Sequence, residues 1–547
     1  MHSIEIVLFM LLAVAASGFL VRLLPFSLPL PLVQIALGAV ISLGNRGVAL
    51  DPELFFFLFL PPLLFLDGWR IPKQGLFRDK GVILELALGL VVFTVVGAGL
   101  MIHWLIPAMP LAVAFALAAV VSPTDPVAVS AIAARVPIPK RLMHILEGES
   151  LLNDASGLVC FQFAVAAVVT GGFSLAQAGL TFLWVALVGV GCGIGIVWGG
   201  NLLQRRVARK FGEDGGSAIL VNLLLPFAAY GLAELLHASG ILAAVAAGIT
   251  MSYVEMSGRA AAGLRIQRAA VWDMVQFTLN GIVFTLLGEQ LPGILDDAMR
   301  SVEQAGRGDP WWLPVYVLAI SAMLMALRLL WAWLSLRWNL FKAKRRGEPR
   351  PKPSWRLLLA TSLAGVRGAV TLAGVLTLPL VLDDGGTFPA RELVVFLAAA
   401  VILVSLLAAS LGLPMLLRGL QLPEEPQDSL QEDRARRRAA HAALAAVEAE
   451  RQRLATASPS AEDIALYAAC AERVSQNYQR HVDRLGGPEE IPPEQARRIE
   501  RVERQLRQAG LRAERAELFR LTREGELSDD VSRRLIRNLD LLESRQR

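Results

Sequence analysis

Charge is scarce in this sequence. Only 18% of its 547 residues are Asp, Glu, Lys or Arg, where a soluble chain carries about 25%. The shortfall is local, because residues 1 to about 420 hold almost all of the apolar excess. A soluble all-helical core of that composition is excluded, since it would leave too little polar surface to keep it in solution. Cysteine is scarcer still. Cys160, Cys192 and Cys470 have neither disulfide nor metal-ligand spacing, so no redox or zinc chemistry is expected. A Gly-rich loop of P-loop spacing is missing, which argues against a nucleotide-driven pump and against an enzyme of that kind. The first apolar segment, Ile4 to Leu20, lacks a basic leader and a small-residue cleavage site. It reads as a retained first span and not as a signal peptide. The net charge of +5 could suggest nucleic acid, but the basic residues gather in loops between apolar runs, and no nucleic-acid partner is expected.

What the sequence does contain is a long series of apolar runs. About 20 apolar residues in a helix cross a bilayer core. Thirteen spans are expected, near residues 4–21, 28–43, 52–67, 81–103, 110–134, 143–170, 176–200, 217–235, 239–253, 270–291, 312–337, 356–381 and 392–418. Loop charges test that count, because cytoplasmic loops collect Lys and Arg. Every second loop is basic: Arg70 to Lys80, Arg135 to Arg141, Arg205 to Lys210, Arg259 to Arg268, and Arg337 to Lys352. The loops between them are uncharged or acidic, as with Asp296 and Asp297, or Asp383 and Asp384. The expected fold is an all-α polytopic protein of the inner membrane, surrounded by the lipid bilayer. Its N-terminus would be periplasmic and its tail cytoplasmic.

Two domains follow, a transmembrane domain over 1–420 and a cytoplasmic helical domain over 421–547. The tail is rich in Arg, Glu, Ala and Leu, and amphipathic helices are expected at Gln431–Leu454, Ala461–Leu485, Pro493–Leu521 and Ser528–Ser544. It reads either as a regulatory or dimer-supporting domain, with any ligand of its own unknown, or as a solvated appendage.

Charged groups inside spans are costly, about 2.5–3.5 kcal/mol each on insertion scales, and so mark function by default. Three segments concentrate them. The fifth span reads Ser122-Pro123-Thr124-Asp125-Pro126. Each proline removes a backbone donor and disrupts the preceding turn. Carbonyls near Ser122 are thereby freed for a cation, and half-helix termini form inside the membrane. Asp125 would either face the ion or cap the following half-helix. The sixth span carries Glu149-Ser150-Leu151-Leu152-Asn153-Asp154. Ser150, Asn153 and Asp154 share one helix face, and they offer hard oxygen donors suited to Na+ or Li+. The twelfth span holds Arg367 between Gly365 and Gly368, with Thr371 as a further candidate lining residue. A buried arginine stays charged and needs an anionic partner. Glu149 is the expected partner, and Arg328 in the eleventh span competes for it. Asp67, beside Arg70, is expected at the interface, Asn280 between helices, and Glu85 and His103 at the lipid boundary or in helix packing.

Ser122–Val129, Glu149–Gly157 and Gly365–Leu372, supported by the Pro61-Pro62 segment, resemble the sodium/proton exchanger family that includes bacterial NhaP proteins and animal NHE exchangers. Their order and separation agree over about 400 residues. The resemblance implies two inverted repeats, spans 1–6 and 8–13, with discontinuous helices crossing at spans 5 and 12. It also implies a homodimer of protomers with a dimer domain and a mobile core. Carried onto this chain, it makes Asp154 the ion- and proton-binding carboxylate, supported by Asn153. Thr124 and Asp125 would lie at the crossing, and Glu149 would pair with Arg367.

The expected activity is secondary antiport of Na+, and with it Li+, against H+, without a cofactor. Na+ would sit at Asp154, Ser150 and Thr124. Proton and Na+ would compete for one carboxylate, and a single Asp preceded by Asn implies one proton per Na+. A K+/H+ antiporter of the same fold uses the same oxygen donors and stays open. A gated cation channel would need a continuous polar pore, whereas these polar residues cluster at mid-span. A receptor or scaffold acting through the tail leaves the intramembrane charges unexplained.

Overall fold

The computed structural model describes residues 2–23, 28–44, 52–71, 80–125, 129, 140–170, 175–211, 214–256, 262–304, 311–346, 355–380, 382, 386–418, 426–457 and 460–484, with shorter pieces between 510 and 539. The chain divides into two compact units, Met1–Gln421 and Leu422–Arg547. Its regular elements, among the described residues, are helices: α1 His2–Leu23, α2 Leu30–Gly44, α3 Pro52–Arg70, α4 Lys80–Leu84 running through a π-helical turn (Glu85–Leu90) into α5 Val91–Leu105, and α6 Leu111–Val121 in the first unit. There follow α7 Lys140–Thr170, α8 Leu175–Phe211, α9 Gly215–Leu235, α10 Gly240–Met256, α11 Ala262–Gln304, α12 Trp312–Arg346, α13 Trp355–Leu363, α14 Ala369–Leu376 and α15 Arg391–Leu417. Every expected span coincides with one of these helices or with a broken pair of them. The second half of the fifth span, 126–134, lies outside the described residues apart from Val129.

Among the described residues, seven helices are long and apolar enough to cross a membrane, and shorter apolar helices lie at Val7–Leu23, Leu30–Leu43, Leu111–Val121 and Gly240–Glu255. Several helices overrun the expected spans. Helix α11 has 43 residues and α12 has 35. At 1.5 Å per residue these reach about 65 and 52 Å, against a hydrocarbon core of about 30 Å. Charged residues end a span without ending a helix, so Asp296 and Asp297 continue α11 and do not form a loop.

Close backbone approach organises the packing. A Cβ on Gly38 would overlap the carbonyl of Thr285, and one on Gly288 would overlap that of Ile35, so α2 and α11 cross glycine against backbone in both directions. Gly68 and Gly248 do the same for α3 and α10, against Val245 and Phe65. Without a hydrophobic drive between helices in lipid, such contacts supply the van der Waals energy of association. Beside them Trp272 is fully buried. Its ring stacks on Phe65 at 5.3 Å, and its Nε1 donates to Asn222 Oδ1 at 2.8 Å. At the start of α9 Asp214 accepts from the Ser217 hydroxyl and, at 2.9 Å, from the Ser217 amide. Those hydrogen bonds hold its carboxyl below the ordinary carboxylate range.

The second unit contains α16 Pro426–Ala457 and α17 Ala461–Arg484, which pack on each other. Residues 513–521 are also helical. Exposed i,i+3 pairs such as Glu448–Arg451 and Glu450–Arg453 line α16. The expected helix at 528–544 falls almost entirely outside the described residues, as does the start of the one at 493–521.

Candidate functional site

Two helical interruptions meet inside the first unit. Helix α6 stops at Val121, and residues 122–125 run without helical structure. The twelfth span is likewise split, with 364–368 separating α13 from α14. The Asp125 amide donates to the Val366 carbonyl at 2.7 Å, so one break satisfies the other. Gly368 caps α14 and lies against the Asp125 carboxylate so closely that any Cβ there would overlap it. A carboxylate is favoured at that helix N-terminus, where backbone N–H groups are unsatisfied. Helix α7 reaches the same point because Gly157 lets the Pro123 ring lie directly on it.

The charged groups are distributed differently from the expectation. Glu149, fully buried, is held by Arg328 through two hydrogen bonds, at 2.5 and 2.8 Å. This corrects the Glu149–Arg367 pairing. Arg367 instead donates its Nε to the Val121 carbonyl at 2.9 Å and an Nη to Gly365 O. Its backbone amide donates to Ser405 Oγ at 3.1 Å. The physical reason is the break: unwound backbone offers carbonyls to Arg367, whereas the unbroken α12 offers none to Arg328. Arg328 needs a carboxylate, and it adds only the Thr361 carbonyl, at 3.0 Å, from the neighbouring α13.

Around this frame lies a chamber of about 30 Å³, lined by Asp67, Thr124, Asp125, Ser150, Asp154 and Thr371 among others. That is room enough for a water molecule or a small ion. Of the expected site residues it brings together Asp154, Ser150, Thr124 and Asp125, with Thr371. Asn153 stands behind them, its Nδ2 donating to Thr124 Oγ1 at 3.0 Å, and Thr124 Oγ1 lies 3.3 Å from Glu149 Oε1. Ser122 is buried but does not line the chamber. Asn153 Oδ1 and Ser122 Oγ are buried oxygens with no hydrogen-bond partner among the described residues.

A wider vestibule of about 470 Å³ adjoins the chamber and shares with it Asp67, Ser150, Gln276 and Asn280. Arg70, Glu147 and Asp273 line its far part. Arg70 is engaged there, donating to Asp273 and, at 2.7 Å, to Gln276 Oε1. Asp67 is therefore a lining residue of the chamber and not an interfacial one, which corrects the sequence reading. The signal was available: Leu60, Leu63, Leu64 and Asp67 fall at i, i+3, i+4 and i+7 on α3, and all four line the chamber. Gln276 and Asn280, four residues apart on α11, were the other lining residues to be found this way. Glu85 opens the π turn, and the carbonyl of Ala87 in that turn accepts from Ser156 Oγ at 2.6 Å, joining the turn to α7. His103 Nδ1 lies 2.8 Å from the Met109 carbonyl, a packing role.

The arrangement is a small chamber lined by carboxylate and hydroxyl oxygens at the crossing of two interrupted helices. The sequence profile of the family described as sodium/hydrogen exchanger, transmembrane, matches residues 7–419. The chain belongs to this family. A Na+/H+ exchanger of Escherichia coli (strain K12) is 43% identical to it over 544 residues, covering 98% of each chain. A sodium, potassium, lithium and rubidium/H+ antiporter of Bacillus subtilis is 39% identical over 550 residues, covering 98% of this chain and 77% of its own. In three dimensions the protein is similar to the sodium proton antiporter MjNhaP1 from Methanocaldococcus jannaschii. That match has a TM-score of 0.57 at 16% identity and covers 77% of this chain and 99% of that one. This exchanger is thus an all-helical membrane antiporter of monovalent cations and protons, a transporter and not an enzyme.

Proposed function

We propose that Asp154 is the carboxylate for which Na+ and H+ compete, and that Ser150 and Thr124 complete the cation's oxygen shell. The observation that carries this reading is the ion-sized chamber that collects these three residues beside Asp125 at the crossing. Protonated, Asp154 is neutral and holds no Na+. Deprotonated, it binds the ion together with the hydroxyls and freed carbonyls. Asn153 positions Thr124, and the Glu149–Arg328 pair holds α7 to α12 behind it. With Asn at 153 and Asp at 154, one charge is exchanged for one, and the exchange is electroneutral. A second reading, transport of K+ as well, is favoured by the potassium in the name of the Bacillus relative. The basic loops support an orientation with the vestibule on the cytoplasmic side of the inner membrane and the N-terminus on the other.

The test is pH-gradient dequenching in proteoliposomes, with Na+, Li+ and K+ added separately and the membrane potential clamped at several values. Wild-type protein dissipates the gradient with Na+ at a rate independent of potential. Asp154→Asn falls to the background of empty liposomes while keeping its elution profile. Wild-type flux from that variant would remove Asp154 from the mechanism. The described residues that line the chamber all belong to the first unit, and the second is assigned a regulatory role in a homodimer. Deleting residues 426–547 is expected to preserve exchange and a two-chain mass by light scattering, with at most a shifted pH profile. A well-inserted truncation without transport, or a single-chain mass for the full protein, sinks that part of the reading.

A further inference from the structure

The end of α12 carries a pattern that antiport does not use. Trp333, Arg337, Phe341 and Arg345 recur every four residues, so they form a ladder up one side of the helix. The Arg337 guanidinium lies 5.0 Å from the Trp333 ring centroid, and that of Arg345 lies 4.6 Å from the Phe341 ring. Both rings are exposed, at 42% and 46%. Helix α12 contains no Asp or Glu along its whole length, so nothing on it neutralises these cations. On the neighbouring α13, Arg356 lies 5.8 Å from the exposed Trp355 ring.

The position along the helix is as telling as the composition. The apolar span of α12 is Trp312–Trp338. The ladder therefore starts at Trp333 in the last turns of the apolar span and runs past its end to Arg345, the stretch of helix that would meet the headgroup layer. Helical side chains lean toward the N-terminus, which here points into the bilayer, and each arginine is accordingly drawn back over the ring one turn behind it. A guanidinium with one face on a ring keeps its N–H edge free, and that edge matches two phosphate oxygens. Trp rings themselves favour the headgroup level.

We propose that this ladder is a binding site for the phosphate of anionic phospholipids. Charge complementarity and depth both select a lipid headgroup as the occupant. The proposal also has a consequence for transport. Arg328 lies nine residues before Arg337 on the same unbroken helix, about 14 Å away by helical rise, and it holds Glu149 behind the ion chamber. Lipid bound at the ladder therefore fixes the depth of the helix that supports the site.

The test is native mass spectrometry of the full-length protein titrated with phosphatidylglycerol or phosphatidylcholine. It does not depend on which residue binds the transported ion. Wild-type protein is expected to retain phosphatidylglycerol in preference to phosphatidylcholine. Each basic residue near an anionic surface is worth about fivefold in affinity, so Arg337→Gln with Arg345→Gln should weaken phosphatidylglycerol binding about 25-fold. The control removes the same charge from the basic end of α8, Arg205→Gln with Arg206→Gln, where the residues one turn behind are Asn201 and Leu202 rather than rings. Those charges lie on a different helix, so phosphatidylglycerol held at the ladder should be lost far less than in the ladder variant. Lysine at both ladder positions should restore part of the binding. Equal losses in ladder and control variants would overturn the proposal, as would equal retention of the two lipids by wild type. Displacement of the lipid by millimolar inorganic phosphate or glycerol 3-phosphate would assign the site to soluble anions and overturn it too.

Discussion

Arg328 and Arg367 are both buried in the membrane unit and are neutralised in opposite ways. Arg328 sits on an intact helix whose carbonyls are all committed to its own hydrogen bonds, so it requires the Glu149 carboxylate. Arg367 sits in a break and is held by main-chain oxygens, Val121 O from the other interruption and Gly365 O from its own. An ion pair can be placed anywhere two helices meet. Carbonyls free to solvate a cation are found where a helix ends or is unwound, as at Thr361 beside Arg328 and at Val121 and Gly365 around Arg367. The crossing of two breaks thus does two things at once: it presents oxygens and N–H groups near the chamber, and it stabilises a positive charge there without consuming one of the carboxylates.

If this contrast is right, disrupting the pair should have the larger effect. Glu149→Gln or Arg328→Ala leaves a buried charge stranded, which costs about 3–5 kcal/mol. A double neutral variant, Glu149→Gln with Arg328→Met, should recover a large part of that loss in thermal melts of detergent-purified protein. Strictly additive losses would break the comparison, and a cycle showing coupling between Glu149 and Arg367 instead would reverse it. A smaller effect is expected at the crossing. Gly368→Ala introduces a methyl where the Asp125 carboxylate lies. Forcing that overlap costs about 1–3 kcal/mol, and it should weaken apparent Na+ affinity more than it lowers the melting temperature. An unchanged Na+ dependence would mean that the two breaks are not in the contact described.

Much of this was legible in the sequence. Apolar runs located the helices, and prolines at 123 and 126 located the first interruption, because proline removes a donor wherever it stands. The face shared by Ser150 and Asp154 follows from helical spacing alone. The second interruption was harder, since it is built on Gly365 and Gly368, and glycine is common in unbroken membrane helices as well. Its position came from the family resemblance and not from the residues. The partner of Glu149 was not legible at all. Two arginines in neighbouring spans look equivalent until the fold decides which one can reach main-chain oxygens. Asp67 was misread because it stands next to Arg70 near the end of a span, where an exposed pair is the ordinary arrangement, whereas Arg70 turns to α11 and Asp67 turns inward.

The difference in size between the two connected cavities has one more consequence. The vestibule, at about 470 Å³, is many times roomier than the chamber, at about 30 Å³. On the proposed reading, an ion that passes from one to the other sheds water where both are lined by Asp67, Ser150, Gln276 and Asn280. Discrimination among alkali ions would then depend on how completely these side chains stand in for the lost water. Larger ions give up their water more readily but fit the chamber less well. On the same reading, selectivity is set along that approach as well as at Asp154.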